Sequence, residues 1–107
     1  MSLSTHVLDA RSGLPAQGVG VRLESQVDGE WCVTAQARTD ADGRIMELGD
    51  PGGGVHRLRF DTGAYFASAG VDTFYPEVIV TFEIGSAARY HVPLLLSPFA
   101  YSTYRGS

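Results

Sequence analysis

The 107 residues carry 12 acidic and 8 basic side chains, for a formal charge of −4, and 44% of them are hydrophobic. That balance fits one soluble domain spanning 1–107, large enough to bury a core without disulfides. It argues against nucleic acid or an anionic membrane as partner. All eight basic residues are arginine, the single Cys32 has no partner for an internal disulfide and reads as a plain strand residue, and no run of ~18 apolar residues offers a membrane span. With no charged-then-apolar leader at the start, the expected location is the cytoplasm.

Taken in order, residues 3–9 alternate as a strand, with Leu3, Thr5 and Val7 on one face and Ser4, His6 and Leu8 on the other. Gly13 and Pro15 then mark a turn or loop. Residues 19–27 form the cleanest strand pattern. Val19, Val21, Leu23 and Val27 share one face, while Arg22, Glu24 and Gln26 take the other. Asp28-Gly29 is a two-residue hairpin signal, after which Trp31, Val33, Ala35 and Ala37 continue the apolar alternation. A second Asp-Gly turn at Asp42-Gly43 leads into Arg44 and a short strand over 45–48.

The glycine-rich run 49–54 reads as a loop, because glycine carries a large entropy cost in regular elements. Residues 55–62 predict a strand with Leu58 and Phe60 inward and Arg57, Arg59 and Asp61 outward. Asp61 or Thr62 then caps a helix of about two turns, stopped by Gly70. Pro76 imposes an extended entry into a strand with Val78, Val80, Phe82 and Ile84 on one face. The turn at 85–88 returns the chain into residues 89–96. There Tyr90, Val92, Leu94 and Leu96 oppose Arg89, His91, Pro93 and Leu95. A turn, a second short strand and a polar, aromatic end follow, in which Tyr101 and Tyr104 are expected to pin the segment with their hydroxyls hydrogen-bonded. About eight short strands separated by turns, with no βαβ rhythm, predict an all-β fold: an antiparallel sandwich of two sheets with one short helix.

The same alternation sorts the histidines. His6 and His91 both oppose an apolar stripe and point out of the sandwich, while His56 lies beside the glycine loop. Taken singly, each is most simply a solvated or hydrogen-bonded strand residue, and His56 reads as structural. Convergence of His6 with His91 requires neighbouring strands or a subunit contact. Arg44, on an edge strand, and Arg105, near the end, are by themselves ordinary solvated charges. Metal ligation fits poorly, since neither His6 nor His91 has a ligand at the i+2 or i+4 spacing. No nucleophile elbow and no phosphate-cradling glycine loop followed by a helix is present. The chemistry these residue types suit is activation of water by a histidine whose pKa lies near neutrality, with arginine holding an anionic or carbonyl-rich substrate.

Four blocks carry a resemblance: Ser4-Thr-His-Val-Leu-Asp9 with Gly13-Leu-Pro-Ala16, Thr39-Asp-Ala-Asp-Gly-Arg44, Phe74-Tyr-Pro-Glu-Val78, and residues 90–107 with their final Tyr104-Arg-Gly-Ser107. The chain resembles the 5-hydroxyisourate hydrolases, the enzymatic branch of the transthyretin-like family, over nearly its whole length. The resemblance implies two four-stranded sheets, a homotetramer built as a dimer of dimers, and active sites in the channel between the dimers. It implies His6, Arg44, His91 and Ser107 as catalytic candidates. Substrate binding would involve these four together with Tyr104, Arg105 and Gly106, which shape the site. The implied reaction opens the ring of 5-hydroxyisourate by hydrolysis, in the breakdown of urate, without metal or organic cofactor. A transthyretin-type binding protein is the alternative on the same fold; those relatives lack the Tyr-Arg-Gly-Ser ending and the paired histidines.

Overall fold

A computed structural model describes residues 2–107. Nine strands and one helix succeed one another: β1 (Ser2–Asp9), β2 (Leu14–Pro15), β3 (Gly20–Val27), β4 (Glu30–Arg38), β5 (Arg44–Ile45), β6 (Gly54–Phe60), α1 (Thr62–Ser68), β7 (Val78–Ile84), β8 (Arg89–Ser97) and β9 (Ala100–Thr103). Strands β2-β1-β8-β9, with β5 also paired to β1, make a five-stranded sheet, and β4-β3-β6-β7 make a four-stranded one. The expected two-sheet sandwich with one short helix is therefore present. The first sheet has one more strand than the family resemblance implied, because β2 and β5, two residues each, both pair with β1.

The core lies between the sheets. From the first come Leu3, Val7, Tyr90, Val92, Leu94 and Leu96, and from the second Val21, Leu23, Leu58, Phe60, Val78 and Ile84. Each large apolar side chain removed from water contributes roughly 1.5–3 kcal/mol, which fixes the inward face of every central strand. Phe66 of α1 is also fully buried in this core. The helix begins where Asp61 Oδ1 accepts from the Ala64 N–H at 3.3 Å, and it is left through Gly70 at φ +70°, the left-handed exit that glycine adopts without strain.

Local patterning departs from the structure in four places. A bulge at Leu23/Glu24 shifts the β3–β4 register; Val27 and Val33 beyond it are about half exposed, and Glu24, still in register with Arg57 on β6, is buried beneath its ion pairs with Arg57 and Arg59. The strand expected over 45–48 ends after Ile45; Leu48 is instead anchored by its N–H donating to Leu3 O at 2.8 Å. Leu14 and Pro15 form a strand within the expected loop, with proline at an edge where a missing N–H is tolerated. Finally, β1 and β8 pair parallel across eight residue positions, from Ser2↔Arg89 to Asp9↔Leu96. Every other strand pairing described is antiparallel. That one parallel ladder positions the site.

Candidate active site

Because β1 and β8 run side by side in register, even-numbered residues of β1 meet odd-numbered residues of β8 on the outer face of the five-stranded sheet. Ser4 stands opposite His91, and His6 opposite Pro93. On its other edge β1 pairs with β5, where His6 stands opposite Arg44. The two outward histidines and Arg44 are thus gathered by three strands, two of them far apart in sequence. His91 and Arg44 border a concavity of about 550 Å³ lined also by Ser4, Met46, Arg89 and Ser107, among others. His6 is outside that lining and stands beside Arg44 across the β1–β5 pair.

The turn that delivers Arg44 is tightly specified. Asp40 Oδ1 accepts from the backbone N–H groups of Asp42 and Arg44, each at 2.9 Å, and Gly43 N–H donates to Asp40 O at 2.9 Å. Gly43 has φ +73°, and a Cβ there would run into the backbone carbonyl of Val7. Only glycine satisfies both demands. His6 braces the same turn, with Nε2 3.0 Å from the Asp42 carbonyl. A carbonyl can only accept, so this nitrogen is the one carrying hydrogen.

His91 is held differently. Its Nδ1 lies 2.8 Å from the Ser4 hydroxyl, and its backbone carbonyl accepts from Gly106 N–H at 2.8 Å. A Cβ on Gly106 would collide with the imidazole, so the chain end lies flat against the ring only because residue 106 is glycine. Partial burial, followed by the nearby positive charges of Arg44 and His6, lowers the His91 pKa below its ordinary 6.5; the Ser4 backbone acts in the opposite sense. The direction of this shift favours the neutral ring, the form able to accept a proton.

The last residues divide between two places. Ser107 lines the concavity with Arg44 and His91. Tyr104 and Arg105 line an adjoining hollow of about 340 Å³, which shares His91 and Tyr90 as its wall. There the Arg105 guanidinium sits 5.0 Å above the centre of the Tyr90 ring. The Tyr90 hydroxyl in turn accepts from Gly85 N–H and Ala87 N–H at 2.8 and 3.2 Å, closing the turn before β8. The tail is anchored, but not as expected. Tyr101 and Tyr104 hydroxyls find no partner among the described residues; Tyr101 packs edge-on against Tyr75 at 5.1 Å, and the end is held by backbone pairing to His91. Strand patterning did not single out Ser4, although it shares His6's parity and face.

His56 lies on the other sheet, buried, with both ring nitrogens occupied by Ser25 Oγ and Gly52 O at 2.8 and 2.7 Å. Cys32 is exposed on the edge strand β4. A second concavity of about 580 Å³, over the four-stranded sheet, is lined by Arg22, Arg38, Arg59, Asp61 and Glu77, and Arg59 there pairs with Glu24 and Glu77. Among the described residues, no group of three or more His, Cys, Asp or Glu side chains gathers to hold a metal ion. No described helix is long and apolar enough to cross a membrane.

Comparison with known proteins gives the family. Residues 3–106 match the family model described as the HIUase/Transthyretin family. The chain is 49% identical over 109 residues to the 5-hydroxyisourate hydrolase of Salmonella typhimurium, covering 98% of this chain and 80% of that protein. It is 46% identical over 112 residues to the mouse protein of the same name, covering 98% and 94%. Among solved structures, Klebsiella pneumoniae 5-hydroxyisourate hydrolase superposes with a TM-score of 0.88 at 40% identity over the full length of both chains. Sea bream transthyretin, solved in complex with thyroxine, superposes with a TM-score of 0.94 at 35% identity, covering 99% and 95%.

Proposed function

The chain belongs to the HIUase/transthyretin family, and from that premise we propose that it is a 5-hydroxyisourate hydrolase, opening the substrate's ring with a histidine-activated water. The observation that carries this reading is the meeting of His91, Arg44 and Ser107 around one concavity, with His6 beside Arg44. Fold alone does not decide, since a thyroxine-binding transthyretin superposes as well as a hydrolase does. The residues at and beside the concavity favour the hydrolase. Two imidazoles, a guanidinium and a hydroxyl suit proton transfer and the holding of oxygen far better than they suit an apolar hormone.

In the proposed reaction a histidine takes a proton from water as the water oxygen bonds to a ring amide carbonyl carbon. Arg44, with its fixed fork of donors, holds the oxygen on which negative charge develops. The ring C–N bond then breaks, the departing nitrogen receives the proton, and the ring-opened 2-oxo-4-hydroxy-4-carboxy-5-ureidoimidazoline leaves with a new carboxylate. Ser107 completes the hydrogen-bond set around the substrate, and Tyr104, Arg105 and Gly106 shape the wall behind His91. No step asks for a metal or an organic cofactor. We further propose a homotetramer, a dimer of dimers, whose channel encloses the concavities. Exposed Leu14, Phe74 and Phe99 are apolar surface of the kind such an assembly covers. The test is a spectrophotometric assay on freshly generated 5-hydroxyisourate. Decay should be strongly accelerated by the protein, and decay at the spontaneous rate would sink the reading.

A further inference from the structure

The imidazole of His91 is gripped on all but one side. Ser4 Oγ meets Nδ1 at 2.8 Å, and Gly106 packs against the Cβ, Cγ and Cδ2 edge. Nε2 has no hydrogen-bond partner among the described residues, while the ring lines the concavity with Arg44 and Ser107. Nε2 is therefore the one heteroatom left for a ligand. Whether it offers a lone pair or a proton is set by the other nitrogen.

The molecule contains its own control. His56 repeats the serine contact, with Ser25 Oγ 2.8 Å from Nδ1, yet its Nε2 lies 2.7 Å from the Gly52 carbonyl. Since a carbonyl only accepts, Nε2 of His56 carries the hydrogen, and neutral Nδ1 must accept from the Ser25 hydroxyl. Nothing imposes that tautomer on His91. There the unpartnered nitrogen is Nε2 of a ring that lines the concavity, and it can accept a proton from water only when the ring's hydrogen is on Nδ1, with the Ser4 hydroxyl oxygen accepting from it.

We propose that Ser4 is a positioning residue, holding His91 in the tautomer with hydrogen on Nδ1 so that Nε2 presents its lone pair to the attacking water. This rests on the hydrolase reading and names the histidine nitrogen that serves it. The proton leaving water arrives at Nε2, while Nδ1–H stays bonded to Ser4. The same proton passes from Nε2 to the ring nitrogen as the C–N bond breaks, which returns His91 to its starting tautomer.

The test is ¹⁵N NMR of the full chain without substrate, under conditions where His91 is neutral, followed by steady-state kinetics. Wild-type His91 should show hydrogen on Nδ1, and His56 should show it on Nε2. Ser4→Ala should move His91 toward the Nε2–H form and lower kcat by about ten- to a hundredfold, within the range that proton-transfer catalysis supplies, with KM little changed. Ser4→Thr, which keeps the hydroxyl, should restore both the tautomer and most of kcat. Hydrogen on Nε2 of wild-type His91 would overturn the proposal, and that measurement requires no variant to fold. So would Ser4→Ala retaining either the wild-type tautomer or the wild-type kcat. A wild-type protein inert toward 5-hydroxyisourate would instead remove the hydrolase reading, leaving the tautomer measurement to judge Ser4 separately.

Discussion

Two serine–histidine pairs stand on opposite sheets of this molecule with the same contact distance and different fates. In each, the two residues face one another across neighbouring strands, Ser4 with His91 and Ser25 with His56, and each Nδ1 lies 2.8 Å from its serine oxygen. His56 is buried, stacks obliquely near Phe82 and spends its second nitrogen on the glycine-loop carbonyl. It is a closed unit that ties residues 49–54 to the sheet. His91 is half-buried, and its second nitrogen is unspent. A motif-level contact is thus neutral about function; what the remaining nitrogen meets decides it.

The largest expected effects break the comparison outright. Alanine at His91, Arg44 or His6 should lower turnover by roughly 10²–10⁴-fold, the range general acid–base groups contribute, while the proposed tetramer persists on size-exclusion chromatography with light scattering. His56→Ala should do the reverse, leaving kcat near wild type but destabilising the fold by roughly 1–3 kcal/mol in urea unfolding through unsatisfied buried groups. Equal loss of activity at both histidines would remove the distinction between the sheets. Deleting residues 104–107 should leave most of the sandwich folded by circular dichroism yet abolish hydrolysis, because Ser107 lines the concavity and Gly106 backs the His91 ring. Full activity in the truncated chain would refute that role.

Smaller effects sharpen the comparison. An NMR titration should place the His91 midpoint below the ordinary histidine value of 6.5. Arg44→Gln should raise that midpoint, because removing a neighbouring positive charge makes the imidazolium easier to form. No movement would mean that Arg44 does not act on the ring. The smallest effect lies far from the site, at Tyr65, whose hydroxyl donates to buried Asp9 at 2.8 Å. Tyr65→Phe should cost about 1–2 kcal/mol in denaturant unfolding. Burial first, and then the Asp9 hydrogen bond and charge, raise the Tyr65 pKa from 10.0 to about 12. The unfolded chain therefore loses this proton first, and the associated stability, present below pH 10, is lost as pH climbs toward 12. A Tyr65→Phe protein should lack that part of the alkaline loss.

Much of the fold was legible because its determinants are local. Parity alone put Leu3, Thr5 and Val7 inside and His6 outside, and Asp61 and Gly70 bounded the helix, since each depends on a few adjacent residues. Both Asp-Gly turns announced themselves through the glycine conformations they require. Of the candidate site, parity could say only that His6 and His91 leave the core, and the resemblance supplied the grouping. Asp9 was opaque. Its burial depends on Tyr65 arriving from the helix and on the N–H groups of Arg11 and Ser12, none of which alternation encodes.

The sequence by itself therefore determined which face each strand presents, where the turns fall and which side chains have chemistry to offer. Only the tertiary structure decided which strands are neighbours. A ladder between residues 87 positions apart leaves no local trace, because any strand of the right length and pattern could have lain beside β1. That choice set Ser4 beside His91 and Arg44 beside His6, and folded the last residues against the His91 ring. It also gave His56, with the same serine contact, a carbonyl at its free nitrogen and so nothing to do but hold the fold together.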